Sequence, residues 1–244
     1  MIKKKPSICL LSSYATDQII HSKKSSPIIR QGGPAYFLTK AFSANNISYK
    51  LPHQPNFMVE IILSQNNESG RIISAPQKIN VNFNKLNSQY LVISSIFDEF
   101  NLLHIDQFKG IVFLDLQGYV RKLNCFGYKQ KWLPNTKIQN SIFCLKGTTE
   151  ELQYITTDHL NLQKQKILIA TKGKDGCDLY YNGKKISIPP KKIISAPDTI
   201  GAGDTFFGHF ISNFIKTNNP KHSVKYAMKQ TSEFLNQKIC SEIK

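Results

Sequence analysis

The sequence lacks both a long apolar run and any pair of cysteines spaced to bind a metal. Its five cysteines include no C-x-x-C pair, and no histidine lies near enough to complete a zinc set. No segment approaches the roughly 18 apolar residues of a membrane span. Residues 8–11 are apolar and follow three lysines, but polar residues come directly after them, which excludes a secretory signal. We therefore expect a cytoplasmic protein with no membrane partner.

Acidic residues are scarce: 16 Asp and Glu stand against 32 Lys and Arg, for a formal net charge of +16. Such a balance attracts polyanions. The lysines are scattered, however, and no long basic block is interleaved with aromatic residues, so we expect no specific nucleic-acid partner. The Walker A pattern G-x-x-x-x-G-K-[ST] is also absent, which excludes a P-loop kinase.

The composition predicts one folded domain over residues 1–244, because 41% of the residues are hydrophobic and the length allows a sizeable core. Strand-like runs alternate with helical patterns, including an amphipathic pattern over 97–108, which predicts a mostly parallel sheet between two layers of helices. Cys9, Cys144 and Cys177 fall in strand-like runs, so we expect them to be buried thiols in a reducing compartment.

The most informative stretch runs from Asp198 to Gly208, where small residues precede an apolar helical pattern. Gly201, Ala202 and Gly203 therefore lie on a loop that opens into a helix. Small residues let backbone N–H groups approach a ligand, and the positive end of the helix favours an anion. Asp204 follows at the place where the anion would sit, and a carboxylate there is useful as a base. An ordinary helix cap is the alternative interpretation.

The sequence Asp198-Thr199-x-Gly201-Ala202-Gly203-Asp204-Thr205-Phe206 resembles the C-terminal signature of the ribokinase (PfkB) family of carbohydrate kinases. The resemblance implies a three-layer α/β/α ribokinase-like domain that uses ATP and Mg²⁺. It implies that Asp204 is the base and that the backbone of Gly201, Ala202 and Gly203 forms an anion hole. Because Asp204 is at a helix N-terminus, we expect it to stay ionised with low basicity.

A second glycine-rich turn follows an apolar strand at Thr171-x-Gly173-x-x-Gly176. A β-turn explains these glycines equally well. In the resembling family this pattern lines the nucleotide phosphates, so the resemblance implies a nucleotide site formed by Thr171, Gly173, Gly176 and Thr199.

The acceptor residues are implied by the same resemblance. Asp17, after the first strand, corresponds to an Asp that holds substrate hydroxyls, and Gly32 and Gly33 correspond to a glycine pair at the acceptor. Asp115 and Arg121 follow a predicted strand and are expected in the cleft, with a surface salt bridge as the alternative. The sequence departs from the family where Tyr36 and Phe37 replace a common Asn, which leaves the acceptor open among sugars, inositol-like polyols and nucleosides.

A degraded metal motif follows the predicted strand 141–145. Thr148 and Glu151 have the spacing of a helix capping box, which explains them without a metal. In the family an Asn-x-x-Glu segment here acts through water on magnesium. The resemblance therefore implies a role for Glu151, or for Glu150 if the alignment shifts by one.

Residues 14–31 and 50–80 are predicted to form a reduced β lid over the acceptor, as related kinases do with longer segments. We expect a monomer or homodimer, because dimers in the family often form through this lid. The alternative function is a non-catalytic sugar- or nucleotide-binding homologue with a regulatory role, which the departures at Tyr36 and Thr148 favour.

Overall fold

A computed structural model describes residues 7–20, 26–64, 67–122 and 125–242. Its main sheet has eight strands in the order β16-β15-β14-β13-β10-β8-β1-β4. Neighbours from β14 to β4 are parallel, whereas β15 and β16 form an antiparallel hairpin at one edge. The strands are β1 (Ser7–Ser12), β4 (Ser48–Lys50), β8 (Tyr90–Ser94), β10 (Ile111–Asp115), β13 (Ile142–Thr148), β14 (Ile167–Thr171), β15 (Cys177–Tyr181) and β16 (Lys184–Ile188).

Helices cover both faces of this sheet. One buried apolar cluster joins the sheet to α1, α5 and α6, and a second joins its other face to the shorter helical segments and loops. The predicted fold class, a mostly parallel sheet between helical layers, is confirmed. The α-helices are α1 (Pro34–Ala44), α2 (Gln117–Val120), α3 (Thr136–Ser141), α4 (Thr157–Gln165), α5 (Ala202–Thr217) and α6 (Pro220–Glu242); 3-10 turns lie at Phe83–Lys85, Ile105–Gln107, Glu151–Tyr154 and Gly173–Asp175.

A small four-stranded sheet, with the order β3-β2-β5-β6, stands beside the main sheet. Apolar residues alternate along β2 and β5, so one face packs on Phe37 of α1 and Ile200 while the other is solvated. Its position in the chain matches the segments predicted for the lid. Its strands are β2 (Tyr14–Ile20), β3 (Ile28–Gly32), β5 (Asn56–Ser64) and β6 (Asn67–Ser74).

The helix predicted over 97–108 is wrong. The segment contains only a two-residue strand, β9 (Phe100–Asn101), paired with β7 (Ile79–Asn80), and a 3-10 turn. Asp98 and His104 have φ of 46° and 73°, which an α-helix does not allow. The Glu99 carboxylate also accepts the amides of Ile96 and Phe97, which holds the chain in a turn.

Other local predictions are confirmed. The turn between β15 and β16 has φ of 50° at Asn182 and 75° at Gly183, the two positive values of a type I′ turn. Cys9, Cys144 and Cys177 are buried free thiols.

The remaining pair of strands, β11 (Arg121–Lys122) and β12 (Cys125–Lys129), is antiparallel. Among the described residues, no helix has the length and apolar character needed to cross a membrane.

Candidate active site

A row of buried polar side chains lies where the central parallel strands end. Ser12, Ser94 and Asp115 are direct neighbours across β1, β8 and β10, and Asp115 is paired in turn with Lys146 of β13. Each of the four is at most 2% exposed. The carboxyl edge of an open parallel sheet is where ligands of α/β proteins bind, so this row marks the candidate site.

The N-terminus of α5 lies over this row. Gly201 caps the helix in the left-handed conformation, with φ of 81°. Asp204, in the first turn, is 9% exposed, and its Oδ1 is 3.4 Å from the Ser94 hydroxyl. A Cβ on Gly203 would lie 3.2 Å from Lys146 Nζ, so the ammonium is beside the predicted anion hole. Thr199 accepts the Ala202 amide at 3.0 Å and so closes the loop that precedes the helix.

Lys146 is the residue that sequence reasoning missed. Its Nζ is 2.7 Å from Asp115 Oδ2. Burial alone would lower the pKa of this ammonium, but Asp115, Glu151 and Asp204 outweigh burial and hold the pKa above its ordinary value. A signal was present in the sequence: the apolar runs of β10 and β13 are each followed by a charged residue, and the two charges, on Asp115 and Lys146, are opposite.

The prediction that Asp204 has low basicity is wrong. Burial, with a further contribution from the negative charge of Asp115, raises its pKa to about 7, even though Lys146 and Arg121 act in the opposite direction. The helix end therefore does not decide the charge of this carboxyl, because removal from water is the larger effect. At neutral pH the group can both accept and release a proton.

The two candidate metal-linked acids have different surroundings. Glu151 is 5% exposed, and its charge reaches Lys146. Its Oε2 accepts the Thr148 amide at 2.8 Å, while the Thr148 hydroxyl accepts the Glu151 amide at 3.0 Å, so the predicted capping box is present. β13 extends through Thr148, and only a 3-10 turn follows it. Glu150, whose side chain is 62% exposed, pairs with Lys129 at the surface.

The predicted nucleotide residues lie next to β13. Thr171 ends β14 opposite Thr148, and its carbonyl accepts the Thr149 amide at 3.0 Å. Gly173 and Gly176 flank a 3-10 turn with φ of 55° and 87°. Two strand spacings, about 10 Å, separate β14 from β10. The structure thus places this turn at the same sheet edge as Asp204.

The predicted acceptor residues lie on the small sheet and at its junction with α1. Asp17 belongs to β2 rather than to a loop after β1, and it is 2% exposed. A Cβ on Gly32 would lie 1.9 Å from Asp17 Oδ2, so only glycine fits there. Gly33, with φ of 80°, packs on the backbone of residues 13–15. Arg121 donates to the Ile96 carbonyl at 3.2 Å, and its charge reaches Asp204.

The loop of residues 198–203, called the anion-hole loop after its predicted role, contacts both α1 and the small sheet. A Cβ on Gly201 would lie 2.2 Å from the Phe37 ring. Phe37 is 6% exposed, and its ring makes edge-to-face contacts with the rings of Tyr36 and Phe234. The Phe37 ring is therefore part of the apolar packing between α1 and the loop. The Asp198 carboxylate forms an ion pair with Arg30 of β3 at 2.7 Å.

The residues present fit a magnesium ion held mainly by phosphate and water. Among the described residues, no group of three or more His, Cys, Asp or Glu side chains could hold a metal by itself. Mg²⁺ usually keeps several waters and binds through one or two carboxylates plus substrate phosphates. Glu151, which is buried and whose charge reaches Lys146, would be the carboxylate that holds a water of such an ion.

Comparison with protein families gives one match that covers this site. Residues 133–239 match the model of the pfkB family of carbohydrate kinases. The matched segment includes Lys146, Glu151, Thr171 and the whole anion-hole loop through Asp204. The resemblance inferred from the sequence is confirmed.

A curated relative has a similar sequence over part of the chain. It is an inositol 3-kinase from Oryza sativa subsp. japonica, 29% identical over 82 residues. That segment is 34% of this chain and 20% of the rice protein, so the match spans about a fifth of the relative's length.

Solved structures match over nearly the whole chain. A pyrophosphate-dependent kinase in the ribokinase family, complexed with a pyrophosphate analog and myo-inositol, has a TM-score of 0.71 at 15% identity and covers 94% of each chain. An Arabidopsis thaliana ribokinase complexed with ribose and ATP has a TM-score of 0.67 at 13% identity and covers 95% of this chain and 93% of its own. The chain has the ribokinase fold.

Proposed function

We propose that this ribokinase-fold chain, which matches the pfkB carbohydrate kinases over residues 133–239, transfers a phosphoryl group from ATP to a hydroxyl of a small polyol or sugar. One observation carries the proposal: Asp204 lies buried at the N-terminus of α5, beside the Lys146 ammonium and over the carboxyl edge of the sheet. A base, an anion-binding helix end and a cation meet there, as phosphoryl transfer requires.

Asp204 takes the proton of the attacking hydroxyl. As the acceptor oxygen bonds to the γ-phosphorus, the bond from phosphorus to the bridging oxygen breaks, and ADP leaves with that electron pair. The proton remains on Asp204 until it passes to solvent. A pKa near 7 suits this task, because a base works best when its pKa lies close to the operating pH.

The negative charge of the transferring group is stabilised by the start of α5. The N–H groups of Gly201 and Gly203 face the phosphate oxygens, whereas the Ala202 N–H is bonded to the Thr199 carbonyl and holds the turn. The Lys146 ammonium adds a full positive charge beside Gly203. Donors fixed before the reaction do not need to reorganise during it, and this makes them effective.

Magnesium, when bound, neutralises charge on the donor phosphates. Glu151 would hold such an ion through a water, and the capping box with Thr148 fixes the orientation of that carboxylate. Thr171, Gly173, Gly176 and Thr199 line the donor.

An inositol-like polyol is the acceptor class that we favour. The named relatives include an inositol 3-kinase and a kinase bound to myo-inositol. Asp17 accepts acceptor hydroxyls above the glycine pair Gly32 and Gly33, while Asp115 and Arg121 lie on the side of the cleft that faces Asp204.

Pyrophosphate is the second candidate donor. Lys146 favours pyrophosphate, because a buried ammonium beside the anion hole suits a compact, highly charged donor that has no nucleoside part. A structure of similar fold is that of a pyrophosphate-dependent kinase. With this donor the leaving group is orthophosphate.

The test is a matrix of donors and acceptors with the purified protein. ATP and pyrophosphate, each with magnesium, are combined with inositols, sugars and nucleosides, and phosphorylated acceptor is detected by ³¹P NMR. We expect that a polyol is phosphorylated and that this reaction requires Asp204. Thermal shift provides the second measurement, because a donor at a hundredfold excess over Kd stabilises the fold by about 2.7 kcal/mol. Donor binding without turnover of any acceptor would favour the non-catalytic alternative.

A further inference from the structure

We propose that Lys238 and Arg30 are positioning residues that hold the anion-hole loop in place through the carboxylate of Asp198. The inference deepens the proposed function and rests on it for the effect on turnover. Both side chains act through Asp198 and the loop backbone.

The Asp198 carboxylate is fully engaged in this arrangement. It is 2% exposed, and its Oδ2 accepts from Arg30 Nη1 at 2.7 Å and from Lys238 Nζ at 2.9 Å. Its Oδ1 accepts the Ile200 amide at 2.8 Å. Burial would raise the pKa of this carboxyl, but the bonds from the two cations and the amide outweigh burial and hold the pKa below its usual value. The anchor is therefore an ionised group.

Lys238 holds the loop at two points. Besides the carboxylate, its ammonium donates to the Ile200 carbonyl at 2.7 Å. Because the Asp198 carboxylate accepts the Ile200 amide, both the N–H and the carbonyl of Ile200 are fixed immediately before Gly201, the N-cap of α5. The ammonium is also 5.2 Å from the Phe234 ring and its side chain is only 16% exposed, so water competes weakly for it.

The two cations come from separate parts of the fold. Arg30 lies on β3 of the small sheet and Lys238 lies near the end of α6, so one carboxylate joins both elements to the loop. When one cation is removed, the buried carboxylate keeps only the other, and one of the two elements is no longer tied to the loop. Catalytic N–H donors must be held within roughly 0.5 Å of the productive geometry. Removal of either cation should therefore displace the donors at Gly201 and Gly203.

A matched control exists at the other end of α5. Lys216 Nζ donates to the Asn45 carbonyl at 2.7 Å and so ties α5 to the end of α1. The contact resembles the Lys238 bond to Ile200 in length and type, but it lies away from the loop. Lys216→Ala reports the effect of losing such a contact on the fold alone.

The kinetic test compares Lys238→Ala, Lys238→Arg and Lys216→Ala with the wild type. We expect kcat to fall roughly 10- to 100-fold in Lys238→Ala, because a displaced donor weakens charge stabilisation. Added methylammonium should restore part of the loss by filling the vacated position, and Lys238→Arg should keep more activity than Lys238→Ala. Lys216→Ala should stay within about twofold of the wild type, as expected for an independent site, and show no rescue.

Amide hydrogen exchange gives a measurement that does not need turnover. In Lys238→Ala we expect the amides of residues 199–203 to exchange roughly tenfold faster or more, since the loop opens locally, while Lys216→Ala leaves them unchanged. Wild-type exchange and wild-type kcat in a folded Lys238→Ala would overturn the inference, as would lost turnover with no rescue and unchanged exchange. If Lys238→Ala does not fold, Arg30→Gln decides by the same two measurements. A wild type that phosphorylates no acceptor counts against the proposed function, and the exchange experiment still decides this inference.

Discussion

Lys146 Nζ and Asp115 Oδ2 lie 2.7 Å apart on neighbouring strands, with side chains 3% and 1% exposed. Because the two residues are direct partners in the ladder between β13 and β10, the sheet itself sets their distance. The pair carries the only side-chain charges of the polar row Ser12, Ser94, Asp115 and Lys146, and it lies below Asp204 and Gly203.

Lys146→Met should destabilise the protein by about 3 to 5 kcal/mol, because it leaves Asp115 buried without its partner. Turnover should fall as well. The rise of turnover with pH that reports deprotonation of Asp204 should move to higher pH, since Lys146 lowers the pKa of Asp204. Urea unfolding and pH–rate profiles measure the two effects. The double variant Lys146→Met/Asp115→Asn should recover stability but not turnover. If Lys146→Met alone is as stable as the wild type, the ion pair with Asp115 does not stabilise the fold.

Asp204→Asn should lower turnover by roughly 10²- to 10⁴-fold, the usual contribution of a positioned base. Asn keeps the size of the side chain and its first-turn position, so the fold and donor binding should survive. In the wild type, kcat/KM should rise with pH through about 7, because the base must lose its proton to work. The variant should lose that limb of the profile. Near wild-type turnover by a folded Asp204→Asn, with the acceptor identified, would contradict the catalytic assignment.

Glu151→Gln should raise the magnesium concentration needed for half-maximal activity, on the order of 10- to 100-fold for a residue that acts through water. Gln still accepts the Thr148 amide through its oxygen, so the turn should persist. Glu150→Gln is the matched control, since Glu150 pairs with Lys129 at the surface. Magnesium titrations of initial rate measure both variants. A larger effect in Glu150→Gln would show that the assignment is off by one residue.

His159 should make the protein less stable in mild acid. Its ring is fully buried against Trp132, and burial, aided by the charge of Lys166, lowers its pKa to about 4. The unfolded chain therefore binds the extra proton between pH 6.5 and about 4, where the folded protein does not. The contribution of the neutral His159 ring to the free energy of unfolding is fully present above pH 6.5 and is lost as the pH falls towards 4.

Urea unfolding at a series of pH values measures this effect. We expect His159→Leu to flatten the dependence by up to one proton between pH 6.5 and 4. His222→Gln, which removes an exposed histidine, serves as the control. An unchanged slope in a folded His159→Leu would show that another group controls the acid response.

Local signals explain why much of the fold was predictable from the sequence. The apolar runs of the central strands, the Asn182-Gly183 turn and the capping box of Thr148 and Glu151 all act within a few residues, and each is present as predicted. The helix predicted over 97–108 was wrong because its apolar spacing serves a buried loop, in which the Glu99 carboxylate replaces helical hydrogen bonds.

The sequence by itself determined the anion-hole loop and the start of α5, because small residues followed by an apolar helical pattern permit few other structures. The tertiary structure alone decided that Asp204 is a group with a pKa near 7, that Lys146 lies beside Gly203, and that Arg30 and Lys238 meet at Asp198. Burial and the distance between charges decide these properties, and both arise only when strands and helices far apart in the chain pack against each other.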